Sequence, residues 1–256
     1  MWFWLSLITL LCWSGSDLFS KIGCRDADDK LSHLKMVIAV GTVMGLHAAF
    51  EIFVSGTPIS WSVIWTYLPV SLLYIGSMAL GYLGLRYIEL SVSSPICNSS
   101  GALVAVLTLL FVGGDDYSPL ALCAILLVCA GAIGLGVVDA TEDPELRAER
   151  QKDGNYKYAK SFLALALPVA YCLLDAAGTF ADNRVLEILT DRFLAAGMAA
   201  TRKECVDLAA ASANCAYELT FLAAAVVCFV YVVLIRKDKL IPRLEGPKYL
   251  GAICET

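Results

Sequence analysis

The sequence predicts an all-α fold, a multi-pass transmembrane helical bundle, and three observations carry that reading. Apolar residues fill 59% of the 256 positions and charged residues only 17%, where a soluble domain carries about a quarter charged. The mean hydropathy is +0.71. The apolar residues also gather into runs of about 20, the length that crosses a ~30 Å hydrocarbon core as a helix. The net charge of −5 adds little, because in a membrane protein the placement of charges matters more than their sum.

Seven runs qualify as spans, at about 2–22, 35–55, 62–85, 89–112, 118–139, 160–182 and 213–235. The first lacks a basic leader and a small-x-small cleavage site, and Asp17 and Lys21 follow its apolar core, so it reads as a retained helix. Only a few residues around Arg86 to Glu89 join the third and fourth runs, which makes those helices antiparallel neighbours. In 184–198, RVLEILTDRFLAAGM, residues Val185, Ile188, Leu189, Arg192 and Phe193 form a largely apolar face, which predicts a helix lying in the membrane interface. Arg184, Asp191, Arg192, Arg202, Lys203 and Asp207 punctuate 183–212 too often for a span. The segment PKYLGAICET reads as the entry to an eighth helix.

Smaller signals complete the inventory. Trp2, Trp4, Trp61 and Trp65 fit an interfacial belt. Ala130, Gly131 and Gly134 would let two helices approach closely. Most of the ten cysteines lie inside apolar runs, as small packing residues. Cys205 and Cys215 share one predicted outer side, where two free thiols are favoured over a disulfide. No CxxC or paired-histidine pattern exists, so neither a metal nor a cofactor is expected.

The first and sixth spans share a plan. Thr9, Trp13, Ser16 or Asp17, and Ser20 follow one face of the first; Tyr171, Asp175, Gly178 or Thr179, and Asp182 follow one face of the sixth. Five helices separate the two starts, so the copies face opposite ways, as in secondary transporters built from inverted repeats. The stretch 81–138, beginning GYLGLRYIELSVSSPICNSSGALVAVLTLLFVGGDDYSPLAL, together with the opening WSGSDLFSKIG, resembles the EamA-type members of the drug/metabolite transporter superfamily. That resemblance implies inverted five-helix repeats: residues 1–139 as the first, 140–159 as a charged cytoplasmic linker, and 160–256 as part of the second. The family pattern has ten helices, three more than the spans counted here. Asp115 and Asp116 stand where the family usually carries Glu.

An ionisable group within a span is costly and usually faces the bundle interior. Asp175 is the foremost candidate, for substrate or coupling or as a hydrogen bond to a neighbouring helix. Asp17 is the second, or else half of an interfacial ion pair with Lys21 at i+4. Glu51 and Glu218 near the predicted outer ends would line a vestibule or sit in the headgroup layer. Trp13, Tyr74, Tyr82 and Tyr171 would box a cationic or aromatic solute, or simply pack. Asn98, with Ser94, would bond a substrate or a facing helix, and Pro69, Pro95 and Pro168 would free carbonyls within spans.

These features imply a secondary transporter of a small organic solute, working by alternating access within the lipid bilayer, with proton coupling through Asp175 and Asp17. No nucleic-acid partner is expected. A membrane-embedded enzyme is the rival reading, but His33 and His47 are the only histidines and neither HExxH nor GxSxG occurs. A non-transporting scaffold would leave the intramembrane acids without a purpose. Of the 19 basic residues, fifteen lie in loops one, three, five and seven and four in loop six, which places the odd loops in the cytoplasm and the N-terminus outside. The EamA-type resemblance implies a cytoplasmic N-terminus instead; the charge bias decides here. A cysteine at position 153, in a variant without native thiols, will therefore resist an impermeant thiol reagent added to intact cells. Labelling from outside would reverse the orientation.

Overall fold

The computed structural model describes residues 2–26, 28–113, 118–141, 143, 145 and 162–256. Among the described residues every regular element is helical, as expected where lipid cannot hydrogen-bond a bare backbone. Helix α1 spans Trp2–Cys24, and α2 spans Ser32–Phe50 and continues as a π-helical turn over Glu51–Ser55. Helix α3 is Trp61–Gly84, begun by the Ser60 hydroxyl, which accepts from the Val63 N–H at 3.3 Å. Next come α4 (Leu90–Cys97), α5 (Ser100–Phe111) and α6 (Pro119–Thr141). Helix α7 is Phe162–Ala195, α8 is Arg202–Phe229 with a π-helical continuation Val230–Ile235, and α9 is Pro242–Glu255. Seven helical stretches are long and apolar enough to cross a membrane. They coincide with the seven expected spans, α4 and α5 together making the fourth, and α9 is the expected eighth helix.

The predicted interfacial helix at 184–198 is not a separate element. Helix α7 runs unbroken for 34 residues, roughly 51 Å, and carries this segment as its C-terminal continuation. No Gly or Pro interrupts it between Gly178 and Gly197, which turns the chain at φ +65°. Its apolar face finds a helix instead of headgroups. Leu189 and Phe193 are buried with Val63 and Tyr67 of α3 and Cys205 and Ala209 of α8. Helix α8 likewise starts at Arg202, well before the expected 213, because a capping box fixes its first turn: the Thr201 hydroxyl accepts from the Glu204 N–H and the Glu204 carboxylate accepts from the Thr201 N–H, each at 3.2 Å. Both helices exceed the crossing length, so the charged hairpin projects from the apolar layer. Cys205 and Cys215 are buried free thiols. Ten residues of one helix separate them by about 15 Å, too far for a disulfide.

The closest helix pairs are α2 with α8, α3 with α7, and α1 with α9. A Cβ at Gly41 would lie 2.5 Å from the Ala225 Cβ and 2.7 Å from the Phe221 carbonyl oxygen, so only glycine lets α2 lie on α8. Among the described residues the expected packing at Gly131 and Gly134 is absent: a Cβ at either meets none of them within 4 Å. Helix α6 turns that small-residue stripe away from the bundle, with Leu126, Leu127 and Ile133 exposed beside it.

The loops sort into two ends. At one, Arg86 donates to the Lys30 carbonyl, and Lys35 meets Asp29 at 3.1 Å and Asp238 at 3.3 Å, so loops one, three and seven converge. At the other, Arg192 donates to the Thr66 hydroxyl and Ser212 to the Pro58 carbonyl, each at 2.8 Å, joining loops two and six. This alternation is what seven successive crossings produce. Asp115, Asp116 and the basic residues of loop five lie outside the described residues. Gly41→Val will lower the thermal midpoint of the purified protein by the equivalent of about 1–3 kcal/mol or more, the usual range for overpacking. Gly131→Ala will leave it unchanged, and equal effects would contradict the packing of α2 on α8.

Candidate functional site

The helical spacing of α1 places Trp13, Ser16, Asp17 and Ser20 along one face, and that face opens onto a cavity of about 40 Å3. Helix α3 contributes Gly81 and Tyr82, α4 contributes Ser94 and Cys97, and Asn98 follows at its end. Tyr171 of α7 and Glu255 of α9 complete the polar lining. Five residues expected from the sequence thus meet at one place: Trp13, Asp17, Tyr82, Asn98 and Tyr171. They come from four helical segments spread over more than half the chain.

The break between α4 and α5 builds one wall. Asn98 and Ser99 adopt ψ of −2° and −1°, which tightens the ladder to an i→i−3 bond from the Ser99 N–H to the Ile96 carbonyl at 3.2 Å. Side chains add a second bond to carbonyls that already accept a backbone N–H. Asn98 Nδ2 donates to the Ser94 carbonyl at 2.9 Å, and the Ser99 hydroxyl donates to the Ile96 carbonyl at 2.7 Å. Pro95, just before, has no N–H to lose. The same turn presents Ser94 and Asn98 to Asp17: the Ser94 hydroxyl donates to Asp17 Oδ2 in a short hydrogen bond, and Asn98 Nδ2 reaches it at 3.5 Å.

Asp17 does not pair with Lys21. The Lys21 ammonium donates instead to the carbonyls of Leu85 at 2.6 Å and Ile88 at 2.5 Å, groups left open where α3 ends. Across the cavity, the Tyr82 hydroxyl donates to Glu255 at 2.9 Å and Ser16 donates to the same carboxylate at 3.4 Å. Tyr171 lies flat against α3, where a Cβ at Gly81 would come within 2.8 Å of its ring.

Asp175 sits one turn beyond Tyr171 and does not line the cavity. Its carboxylate accepts from the side chain of Ser100, the first residue of α5. It belongs to a polar seam between α3 and α7. Along that seam Tyr74 donates to the Thr179 hydroxyl at 3.1 Å and Tyr67 donates to Asp182 at 2.6 Å. Tyr74 also meets Tyr217 edge-on, 5.6 Å between centroids.

Glu51 and Glu218 stand apart from both. Glu51 accepts from Thr57 at 3.0 Å and Ser55 at 3.3 Å, tying the π-helical turn to the loop that follows. Glu218 is 3% exposed and meets His47 Nδ1 at 2.8 Å and Asn214 Nδ2 at 3.0 Å, a contact between α2 and α8. The sequence reading missed Glu255. Its signal was available, a single acid at the end of the apolar run LGAIC, but only the folded chain brings it opposite Asp17.

The all-helical fold, with seven stretches long and apolar enough to cross a membrane, defines a multi-pass α-helical integral membrane protein. The chain matches no protein-family model and no curated protein sequence. A double-mutant cycle on Tyr67→Phe and Asp182→Asn will return a coupling of roughly 1 kcal/mol, as for other hydrogen bonds between membrane helices. Additive effects would mean that the α3–α7 seam does not hold the two helices.

Proposed function

We propose that this protein is a secondary transporter of a small organic solute, with the cavity among α1, α3, α4, α7 and α9 at its centre. The observation that carries the reading is the convergence of Trp13, Asp17, Tyr82, Asn98 and Tyr171, from helices far apart in sequence, on one partly open cavity. Such groups are expensive within a bilayer, and a solute pathway is a common reason for keeping them there.

The helix pairing supports an inverted repeat. If α1, α2 and α3 correspond to α7, α8 and α9, a two-fold axis in the membrane plane exchanges the α1–α9 and α3–α7 pairs and maps the α2–α8 pair onto itself. Those are the three closest pairs. The same correspondence relates Trp13 and Asp17 to Tyr171 and Asp175, an aromatic one turn before an acid in each copy. The discontinuous α4–α5 span is a further feature of transporter sites. These points support the EamA-type drug/metabolite transporter family as the class to which the chain is proposed to belong.

In the proposed cycle Asp175 exchanges a proton for solute. A carboxylate in a low-dielectric setting is poorly solvated and needs either a proton or a counter-charge. A cationic group supplies the counter-charge, and the two ligands are then linked reciprocally. Tyr171 and Trp13 line the cavity and offer ring faces to the solute, with Asp175 one turn beyond Tyr171. In liposomes, Asp175→Asn will reduce proton-driven uptake at least about tenfold, within the usual range of coupling energies, and flatten its pH dependence. Asp17→Asn, checked for equal insertion, provides the comparison. Full, pH-dependent uptake by Asp175→Asn would overturn the role of this acid.

A further inference from the structure

Two carboxylates face the cavity, and no cationic side chain answers them. Asp17 and Glu255 line the same 40 Å3 space and lie within electrostatic range of each other. The nearest basic residue on α1, Lys21, is committed to the Leu85 and Ile88 carbonyls. Among the described residues neither acid has an ion-pair partner. Two like charges in so small and poorly solvated a space need a shared positive species between them.

The remaining donors are hard oxygens. The hydrogen bonds from Ser94 and Asn98 both fall on Asp17 Oδ2, so Oδ1 accepts none among the described residues. Glu255 accepts from Tyr82 and Ser16, which fixes its carboxylate without neutralising it. A third group points to a ligand independently of the acids. Ser20 is 2% exposed, lines the cavity, and its Oγ has no hydrogen-bond partner among the described residues. A buried, unused hydroxyl is costly unless something in the cavity takes it up. Gly251 of α9 leaves room for it, since a Cβ there would lie 2.8 Å from Ser20 Oγ.

We propose that Asp17, Glu255 and Ser20 form a binding site for one Na+ ion, held between α1 and α9 and distinct from the solute and proton role of Asp175. The oxygen-only donor set suits a hard cation. The cavity has room for one small ion together with water. Mg2+ would demand a near-ideal octahedron and Ca2+ six to eight oxygens, more than acids already engaged by Tyr82, Ser16, Ser94 and Asn98 can supply. Because the ion joins the first helix of one proposed repeat to the third of the other, its binding favours the arrangement in which these helices are together. In that respect the inference rests on the transporter reading and names its second coupling ion.

The test is a thermal-shift titration of the purified full chain with NaCl, holding ionic strength constant with choline chloride. Na+ in hundredfold excess over its Kd raises the midpoint by roughly 5–10 °C. KCl, MgCl2 and CaCl2 produce at most a small part of that rise. Asp17→Asn and Glu255→Gln abolish it. Ser20→Ala, the mildest change and the one least able to disturb folding, moves the half-effective NaCl concentration upward about tenfold. The proposal is overturned if choline or K+ matches Na+, if a divalent ion gives the larger rise, if only pH moves the midpoint so that the acids merely share a proton, or if Ser20→Ala and Glu255→Gln both keep the wild-type response. The measurement needs no solute, so a Na+ shift in a protein that carries nothing in liposomes would sink the transporter reading and leave the site standing.

Discussion

Within hydrocarbon, a polar group without a partner has no water to fall back on, and this requirement orders the whole molecule. Continuous helices meet it for nearly all of the backbone. Where the ladder tightens between Cys97 and Ser100, the reinforcement is local and specific, the Asn98 amide and the Ser99 hydroxyl each adding a second bond to a carbonyl of the preceding turn. The open end of α3 is satisfied at longer range, by the Lys21 ammonium. That bond has a consequence for the cavity, because a lysine spent on carbonyls cannot neutralise Asp17. Satisfying the backbone in one place therefore leaves a charge problem in another, and the cavity forms where that problem lies.

The same requirement explains the dense ionic cluster where loops one and seven meet. Lys35 and Lys248 are almost wholly buried, with side-chain exposures of 4% and 1%, between Asp29, Asp238 and Glu245. Asp29 is the hinge of the cluster, meeting Lys35 at 3.1 Å and Lys248 at 3.5 Å. Buried ion pairs add little net stability over apolar packing, but breaking one strands a charge. The cluster is better understood as fixing position: it holds α9 against α1 and α2 at a defined height. That height places Glu255, at the far end of α9, opposite Tyr82 and Ser16.

Much of this was legible in the residues, for reasons specific to membranes. An apolar run of about 20 residues has few alternatives in a bilayer, so the seven spans and the start of an eighth helix could be located from hydropathy. The stripe Trp13, Asp17, Ser20 was readable because a helix repeats every 3.6 residues. What faces a stripe was not. Leu189 and Phe193 present the same periodicity whether headgroups or α3 and α8 cover them, and Gly131 and Gly134 look equally fit for packing and for lipid. The partner of Lys21 was hidden similarly, since an acid at i−4 is a local signal while the carbonyls of Leu85 and Ile88 are far away in sequence. Glu255 stands out in the sequence only as a lone acid after an apolar run, and its place at the site lies in tertiary contact.

The size of the cavity bears on how such a molecule would work. A space of about 40 Å3 holds a small ion or a water and no organic solute, so the arrangement described here is a closed one with respect to solute. Opening it requires a helix to move, and the contacts differ in how readily they allow this. Helices α2 and α8 are locked by Gly41 lying against Ala225 and the Phe221 carbonyl, a contact without slack. Along the α3–α7 seam Tyr171 rests on Gly81, Tyr74 bonds Thr179 and Tyr67 bonds Asp182, contacts made by side chains rather than by backbone against backbone. Helix α9 is held firmly at its ionic end, and at the cavity by the Glu255 bonds together with Gly251 packed against Ser20 and Met36. A charge at that second contact, whether proton or metal ion, is therefore placed where it has the most leverage over whether the cavity opens, and the tight α2–α8 pair is the natural fixed axis about which the rest would turn.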